Sequence, residues 1–168
     1  LTHYDSISHV LMDKLSHYGY PFVLIVADMD EALRLHDMDF PVMLGSLDDP
    51  QTYKDASISN AAMVVTTDED IRNVNIVFRA RDSSPSLMIV STCNRTTSEE
   101  ILTLAGATHV IRPAQQMGRF LSRRICCTNN STHEIGAFDE VLIAEATIHG
   151  TPLVGQSLKE TMLRENYG

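Results

Sequence analysis

"GYPFVLIVADMDEALRL", residues 19–35, decides the fold. Pro21 to Val26 form a short, continuous apolar run, the pattern of a strand buried on both faces of a parallel sheet. Behind it, Ala32, Leu33, Leu35 and Met38 recur at helical spacing, so a helix follows the strand within a few residues. In front of it, Ile7, Val10, Leu11, Leu15 and Tyr18 share the same period, and Gly19 stops that helix. Helix, strand and helix within forty residues are the start of an alternating α/β chain.

The alternation continues. Val42 to Leu44 read as a strand, and a helix over about 50–56 carries Pro50 in its first turn. Ala62 to Thr66 read as a strand, Asp68 to Arg81 as a helix with Ile71, Val74, Val77 and Phe78 on one face, and Leu87 to Val90 as the next strand. A helix over 98–105 opens on a capping-box-like Ser98-x-x-Ile101, followed by a short strand at Val110-Ile111 and a longer helix over 114–125. Strands alternating with helices of ten or so residues predict an α/β, doubly wound parallel sheet with right-handed crossovers. Beyond it, Thr128 to Gly136 is polar and reads as a loop, and Phe138 to Ile148 fits either a strand or a short helix. Leu158 to Arg164 reads as a closing helix.

Composition sets the outer bounds. The 168 residues, 43% hydrophobic and 21% charged, suit one globular domain with a small appendage. A net charge of -9 without clustered Lys and Arg excludes a nucleic-acid or anionic-membrane surface. Three cysteines, Cys93 and the adjacent Cys126 and Cys127, form no even disulfide framework, and a reducing cytosol is their simplest home. No apolar run approaches the roughly 20 residues that span a bilayer, and nothing resembles a signal peptide. Because Leu1 is not methionine and Gly168 closely follows a predicted helix, the chain is expected to be a piece of a longer one.

Four stretches together carry a resemblance: "GYPFVLIVADMDEAL" (19–33), "FPVMLGSLDDPQTYKDASISNAAMVVTTDEDIRNVNI" (40–76), "LMIVSTCNRTTSEEILTLAGATHVIRPAQQMGRFLSRRI" (87–125) and "GTPLVGQSLKETMLRE" (150–165). In order and spacing the chain resembles the RCK (regulator of potassium conductance) family, also called the TrkA N-terminal domain. "AGATHVIRP" before a Gly-Arg-containing helix is the most specific segment, and "GTPLVGQSL" resembles the entry to the family's smaller C-terminal lobe. The resemblance implies a Rossmann-like lobe over 1–125, a linker over 126–137 and the beginning of a small α+β lobe over 138–168. On that frame Leu1-Thr2 are the last residues of a first strand that lies mostly outside the chain.

The resemblance further implies a non-catalytic regulatory domain that assembles as a dimer or ring beside the pore of a potassium channel or transporter. It would sit in the cytoplasm at the inner face of the membrane, converting ligand binding into mechanical bias on the gate. The 114–125 helix corresponds to the family's crossover between dimerised lobes. Its Met117, Phe120, Leu121 and Ile125 form an apolar stripe that periodicity assigns equally to an interface or to packing on the lobe's own sheet.

A dinucleotide loop needs glycine, because the backbone turns tightly and approaches the pyrophosphate without a Cβ in the way. Against the family, the three glycine positions fall on His3, Asp5 and Ser8, with Tyr4 and Ser6 completing the loop. Asp5 adds negative charge at the helix N-terminus that would receive phosphate. Asp5 or Ser6 reads instead as an N-cap. The ribose-binding acid expected at the end of the second strand is replaced by Val26, with Asp28 two residues on, where Asp28 and Asp30 also suit the start of the next helix. A further family acid, after the third strand, is replaced by Ser46. Thr66, Thr67 and Asp68 keep the polar end of the fourth strand, or cap the helix that follows.

The residues require no cofactor, and an adenine nucleotide or NAD at a weakened site is what the resemblance allows. The family's calcium positions carry Thr92 and Asn94, neither charged, and no zinc motif occurs. His109, before a strand, reads as structural. A NAD-dependent oxidoreductase shares the doubly wound pattern but needs a phosphate loop and a Tyr-x-x-x-Lys or similar pair. A receiver-type phosphoacceptor needs an acidic pair after the first strand, whereas Asp28 and Asp30 follow the second, and a late lysine, where Arg112 is the nearest cation.

Overall fold

The structure, a computed structural model, describes residues 1–126, 133–138, 141–145, 148–157 and 159–162. By contact the chain divides into two compact units, Leu1–Ala114 and Gln115–Gly168.

In the first unit helices and strands alternate as their periodicities dictate: α1 (Ser6–His17), β1 (Leu24–Val26), α2 (Met29–Asp37), β2 (Val42–Leu44), α3 (Pro50–Asp55), a 3₁₀ turn (Ile58–Asn60), β3 (Met63–Thr66), α4 (Asp70–Ser83), β4 (Met88–Thr92), α5 (Thr96–Ala105) and β5 (His109–Ile111). All strand pairs here are parallel: β1 with β2 in one sheet, and β3 with β4 and β4 with β5 in another. Leu1 and Thr2 lie between the two sheets. The Leu1 amino group donates to Val23 O at 3.0 Å and Leu1 O accepts from the Ile25 amide at 2.9 Å, while the Thr2 hydroxyl reaches Val65 O at 3.5 Å. Counting that segment as a strand end, the order across the unit is β2, β1, Leu1–Thr2, β3, β4, β5, the order of a Rossmann-like sheet.

Two apolar clusters flank the gap. Met12, Leu24, Val26 and Leu35 pack together around β1, with Tyr4, Phe22 and Phe40 against them. A larger cluster around β3 and β4 includes Tyr53, Val77, Ile89 and Leu102. The inward face of α4 matches the expected one in part: Val77 is buried and Val74 packs against the core, but the other two expected positions point outward. Ile71 is 78% and Phe78 58% exposed, whereas Asn73, Ile76, Val77 and Ala80 are buried. Both sets have helical spacing, and one of the inward positions is held by Asn73, whose polarity hid that stripe from a reading of apolar residues alone.

Ser98 does not open α5. The helix starts at Thr96 after Arg95, whose side chain makes no cap bond, and Ser98 is buried in the first turn. Gly106 ends α5 in the left-handed region (φ 110°), and Arg81 seals that end by donating from Nε and Nη2 to Gly106 O at 3.1 and 2.8 Å. A Cβ on Gly106 would meet Arg81 Cγ at 2.8 Å, so both conformation and space require glycine there.

The longer helix α6 (Pro113–Cys126) is followed by an antiparallel hairpin of β6 (His133–Phe138) and β7 (Val141–Glu145). A strand therefore occupies residues expected to be loop or linker, because cross-strand pairing overrides weak local propensity in a stretch containing His133, Glu134 and Gly136. Strand β7 resolves the helix-or-strand ambiguity over 141–145. Residues 159–162 form turns where a helix was expected, and Leu158 with residues 163–168 lies outside the described residues.

Candidate functional site

The carboxyl ends of the strands meet the loop that leads into α1, where a Rossmann-like sheet holds its ligand. Asp5 is the N-cap of α1, extended at φ -142° and ψ -175°, and its Oδ1 accepts the Ser8 amide at 2.7 Å. In return Ser8 Oγ accepts the Asp5 amide at 2.7 Å, completing a capping box. The mouth of α1 is thus closed by a side chain of its own loop. Ser8, at the third glycine position, is fully buried. Ser6 is the exposed first residue of the helix.

Tyr4 fixes the loop sideways. Its ring packs on Phe40 and His9 at centroid distances of 5.9 and 6.0 Å, Arg34 lies 5.4 Å above it, and its hydroxyl is 3.3 Å from His9 Nδ1. His3, at the first glycine position, places Nδ1 3.8 Å from Asp68 Oδ2, and Arg72 Nη1 lies 3.1 Å from the same oxygen. Asp68 is buried, so the strand end carries a carboxylate already matched by a guanidinium and an imidazole.

Thr66, Thr67 and Asp68 follow one another at the end of β3, and neither Thr67 nor Asp68 is the N-cap of the next helix. The N-cap of α4 is Glu69, which makes no side-chain cap bond. Asn73, fully buried in the first turns of α4, does the holding. Its Oδ1 accepts the Asp68 amide at 3.1 Å, and its Nδ2 donates to Asp68 O and Thr92 O at 2.8 and 3.0 Å. Thr66 Oγ1 bonds Ser91 Oγ at 2.9 Å, joining β3 to β4. Thr67 Oγ1 is the one buried side-chain polar atom without a partner among the described residues.

Asp28 and Ser46 serve local backbone. Asp28 caps α2, accepting the Glu31 amide at 2.8 Å, and Ser46 Oγ accepts the Asp48 amide at 3.3 Å. Val26, at the position of the family's ribose-binding acid, is buried.

Asn73 and Asp70 escaped the sequence reading. Asp70 accepts the Asn94 and Arg95 amides at 2.8 and 3.1 Å, tying α4 to the loop after β4. Burial pushes its pKa up, but the hydrogen bonds from Ser98, Asn94 and Arg95, with the Arg95 charge, together hold the carboxyl below the ordinary value of 3.8. The available signal for Asn73 was an amide inside a predicted helix, where such residues are disfavoured unless they bond backbone. Among the described residues no three His, Cys, Asp or Glu side chains converge as a metal site would require. Cys93 is buried, and burial, then Asp70 and Glu99, push its thiol pKa up against the opposing charge of Arg112, the reverse of an activated nucleophile.

Comparison with known proteins places this geometry. The sequence profile of the TrkA-N domain matches residues 4–113. A structure of the GsuK channel bound to NAD is 26% identical over 98% of this chain, with a TM-score of 0.76, and this chain spans 30% of that one. A GsuK structure bound to ADP is 27% identical over 73% of this chain and 33% of its own, with a TM-score of 0.69. The TrkA-N domain of the Escherichia coli inner membrane protein ybaL, 19% identical over 74% of this chain and 93% of its own, shares the fold at a TM-score of 0.68. Among curated proteins none matches.

Proposed function

The chain belongs to the TrkA-N domain family, and from that membership we propose that it is a non-catalytic regulatory domain of a potassium channel or potassium uptake system, on the cytoplasmic side of the membrane, in which the nucleotide pocket is silent. The reading rests above all on Asp5. A phosphate at the mouth of α1 would have to displace its carboxylate from the Ser8 amide and lie against its charge. The two other acids a dinucleotide site would use are Val26 and Ser46, leaving no ribose anchor. NAD and ADP accompany the GsuK structures; the residues of this chain do not fit either ligand.

A silent lobe has a use in an assembly, since it transmits what a second lobe senses. The exposed stripe of α6, Met117, Phe120, Leu121 and Ile125, is the surface for a second copy, forming the dimer or ring beside a membrane pore. Among the described residues no helix is long and apolar enough to cross a membrane, so the pore belongs to another segment or subunit.

Rubidium flux in cells lacking this chain tests the function. Altered flux, restored by the chain and equally by its Ser46→Ala variant, is the expected result. Unchanged flux together with turnover of a nicotinamide cofactor by the purified chain would replace a regulator with an oxidoreductase.

A further inference from the structure

The sheet of β3, β4 and β5 has two unlike faces. Val64, Ile89 and Val110 pack into the larger apolar cluster, so the residues next to them in each strand stand on the other face. On that face the register pairs Met63 with Met88, and Val90 with His109 one strand over. Met63, Met88 and His109 are the first residues of their strands. Met63 is 48% and Met88 41% exposed, and His109 is exposed as well. The His109 imidazole makes no hydrogen bond or ion pair among the described residues, so its ring nitrogens are open to a ligand.

Strand spacing decides what the pair can hold. Neighbouring strands lie about 4.8 Å apart, and side chains in register stand side by side. Two metal–sulfur bonds of about 2.3 Å, laid end to end, span about 4.6 Å. The two thioethers can therefore hold one ion between them without moving the backbone. A thioether is a neutral, polarizable donor, poorly matched to the hard cations that seek oxygen and well matched to a soft one. His109 stands one strand across and two residues along from Met88, a Cα separation of about 8 Å that an imidazole and a long side chain can close. Its nitrogen completes a trigonal set of two sulfurs and one nitrogen.

We propose that Met63, Met88 and His109 form a binding site for a soft monovalent cation, Cu(I), at the amino-terminal end of the sheet. The site lies at the opposite end of the strands from the mouth of α1. Its donors are thioethers, outside the carboxylates, thiols and imidazoles from which metal sites are usually assembled. A thioether has no proton to lose, so the two sulfurs bind the ion without first being deprotonated. The proposal stands independently of the regulatory reading.

The test titrates Ag(I), a soft probe with no redox chemistry of its own here, into the full chain carrying Cys126→Ser and Cys127→Ser, and reads the methionine methyl resonances. The two substitutions remove thiols that would compete for the probe. The Met63 and Met88 signals are expected to shift together and to stop shifting at one equivalent. Those of Met29 and Met117, as exposed as the pair but outside it, are expected to stay in place. Met63→Leu and His109→Phe each keep side-chain bulk at an exposed position and are expected to weaken binding about tenfold or more. Zn(II) at the same concentration is expected to move neither signal. Equal shifts of all four methyls, or an affinity unchanged by Met63→Leu, would overturn the proposal. Binding as tight in His109→Phe would contradict the trigonal set, and shifts with Zn(II) equal to those with Ag(I) would contradict the preference for a soft ion.

Discussion

Two helix mouths face the carboxyl end of the sheet, and the chain closes them by opposite means. At α1 the stopper is charged and half-buried, the Asp5 carboxylate and the buried Ser8 hydroxyl exchanging bonds with backbone amides. At α4 the stopper is neutral and fully buried, with Asn73 reaching back from inside the helix to Asp68 and across to Thr92. Burial makes the second closure matter for stability, whereas charge makes the first matter for ligands. At a half-buried cap water can partly replace a lost hydrogen bond, whereas a buried amide removed leaves polar groups that water cannot reach.

The largest loss is expected at α4. Asn73→Ala orphans the Asp68 amide and two carbonyls, and a loss of about 3 kcal/mol in denaturant midpoint measurements is expected. Asp5→Ala at the other mouth is expected to lose about 1 kcal/mol by the same measurement. If the two losses are equal, burial is not what separates the closures.

A smaller effect concerns acid. The folded carboxyl of Asp70 titrates below its ordinary value of 3.8, so the stability it contributes is complete above that value and is lost as pH falls through the depressed one. Asp70→Asn is expected to flatten the acid limb of a stability profile below about pH 4 and to leave its shape near neutrality unchanged. Smallest is Asp5→Asn, which keeps a good N-cap and removes only the charge, with an expected change of a few tenths of a kcal/mol. Any nucleotide affinity that appears in Asp5→Asn isolates the contribution of charge from that of side-chain bulk.

Much of this was legible in the sequence because it depends on local pattern. The apolar run before Asp28 announced β1, and the alternation after it announced the parallel order. An oxygen-bearing residue just ahead of an apolar period left Asp5 and Ser6 as alternative caps, and the structure selects Asp5 and adds its partner, Ser8. What escaped depends on contacts distant in sequence. Asn73 meets Thr92 nineteen residues away, and Asp70 meets a loop more than twenty residues on, so no window around either residue contains its partner. On α4, Val74 and Val77 turn inward as expected, whereas Ile71 and Phe78 do not, since the buried amide of Asn73 stands where an apolar residue was sought. The strand over His133–Phe138 is set by its pairing with β7 rather than by its own composition.

The proposed closure of the α1 mouth to phosphate rests on Asp5. Isothermal titration of the 168-residue chain with NAD+, NADH, ADP and ATP tests it most directly. No saturable heat is expected with any of the four at ligand concentrations up to about 1 mM, the regime of negligible affinity. Micromolar binding of any one of them would show that the carboxylate yields to a nucleotide and that the pocket is not silent.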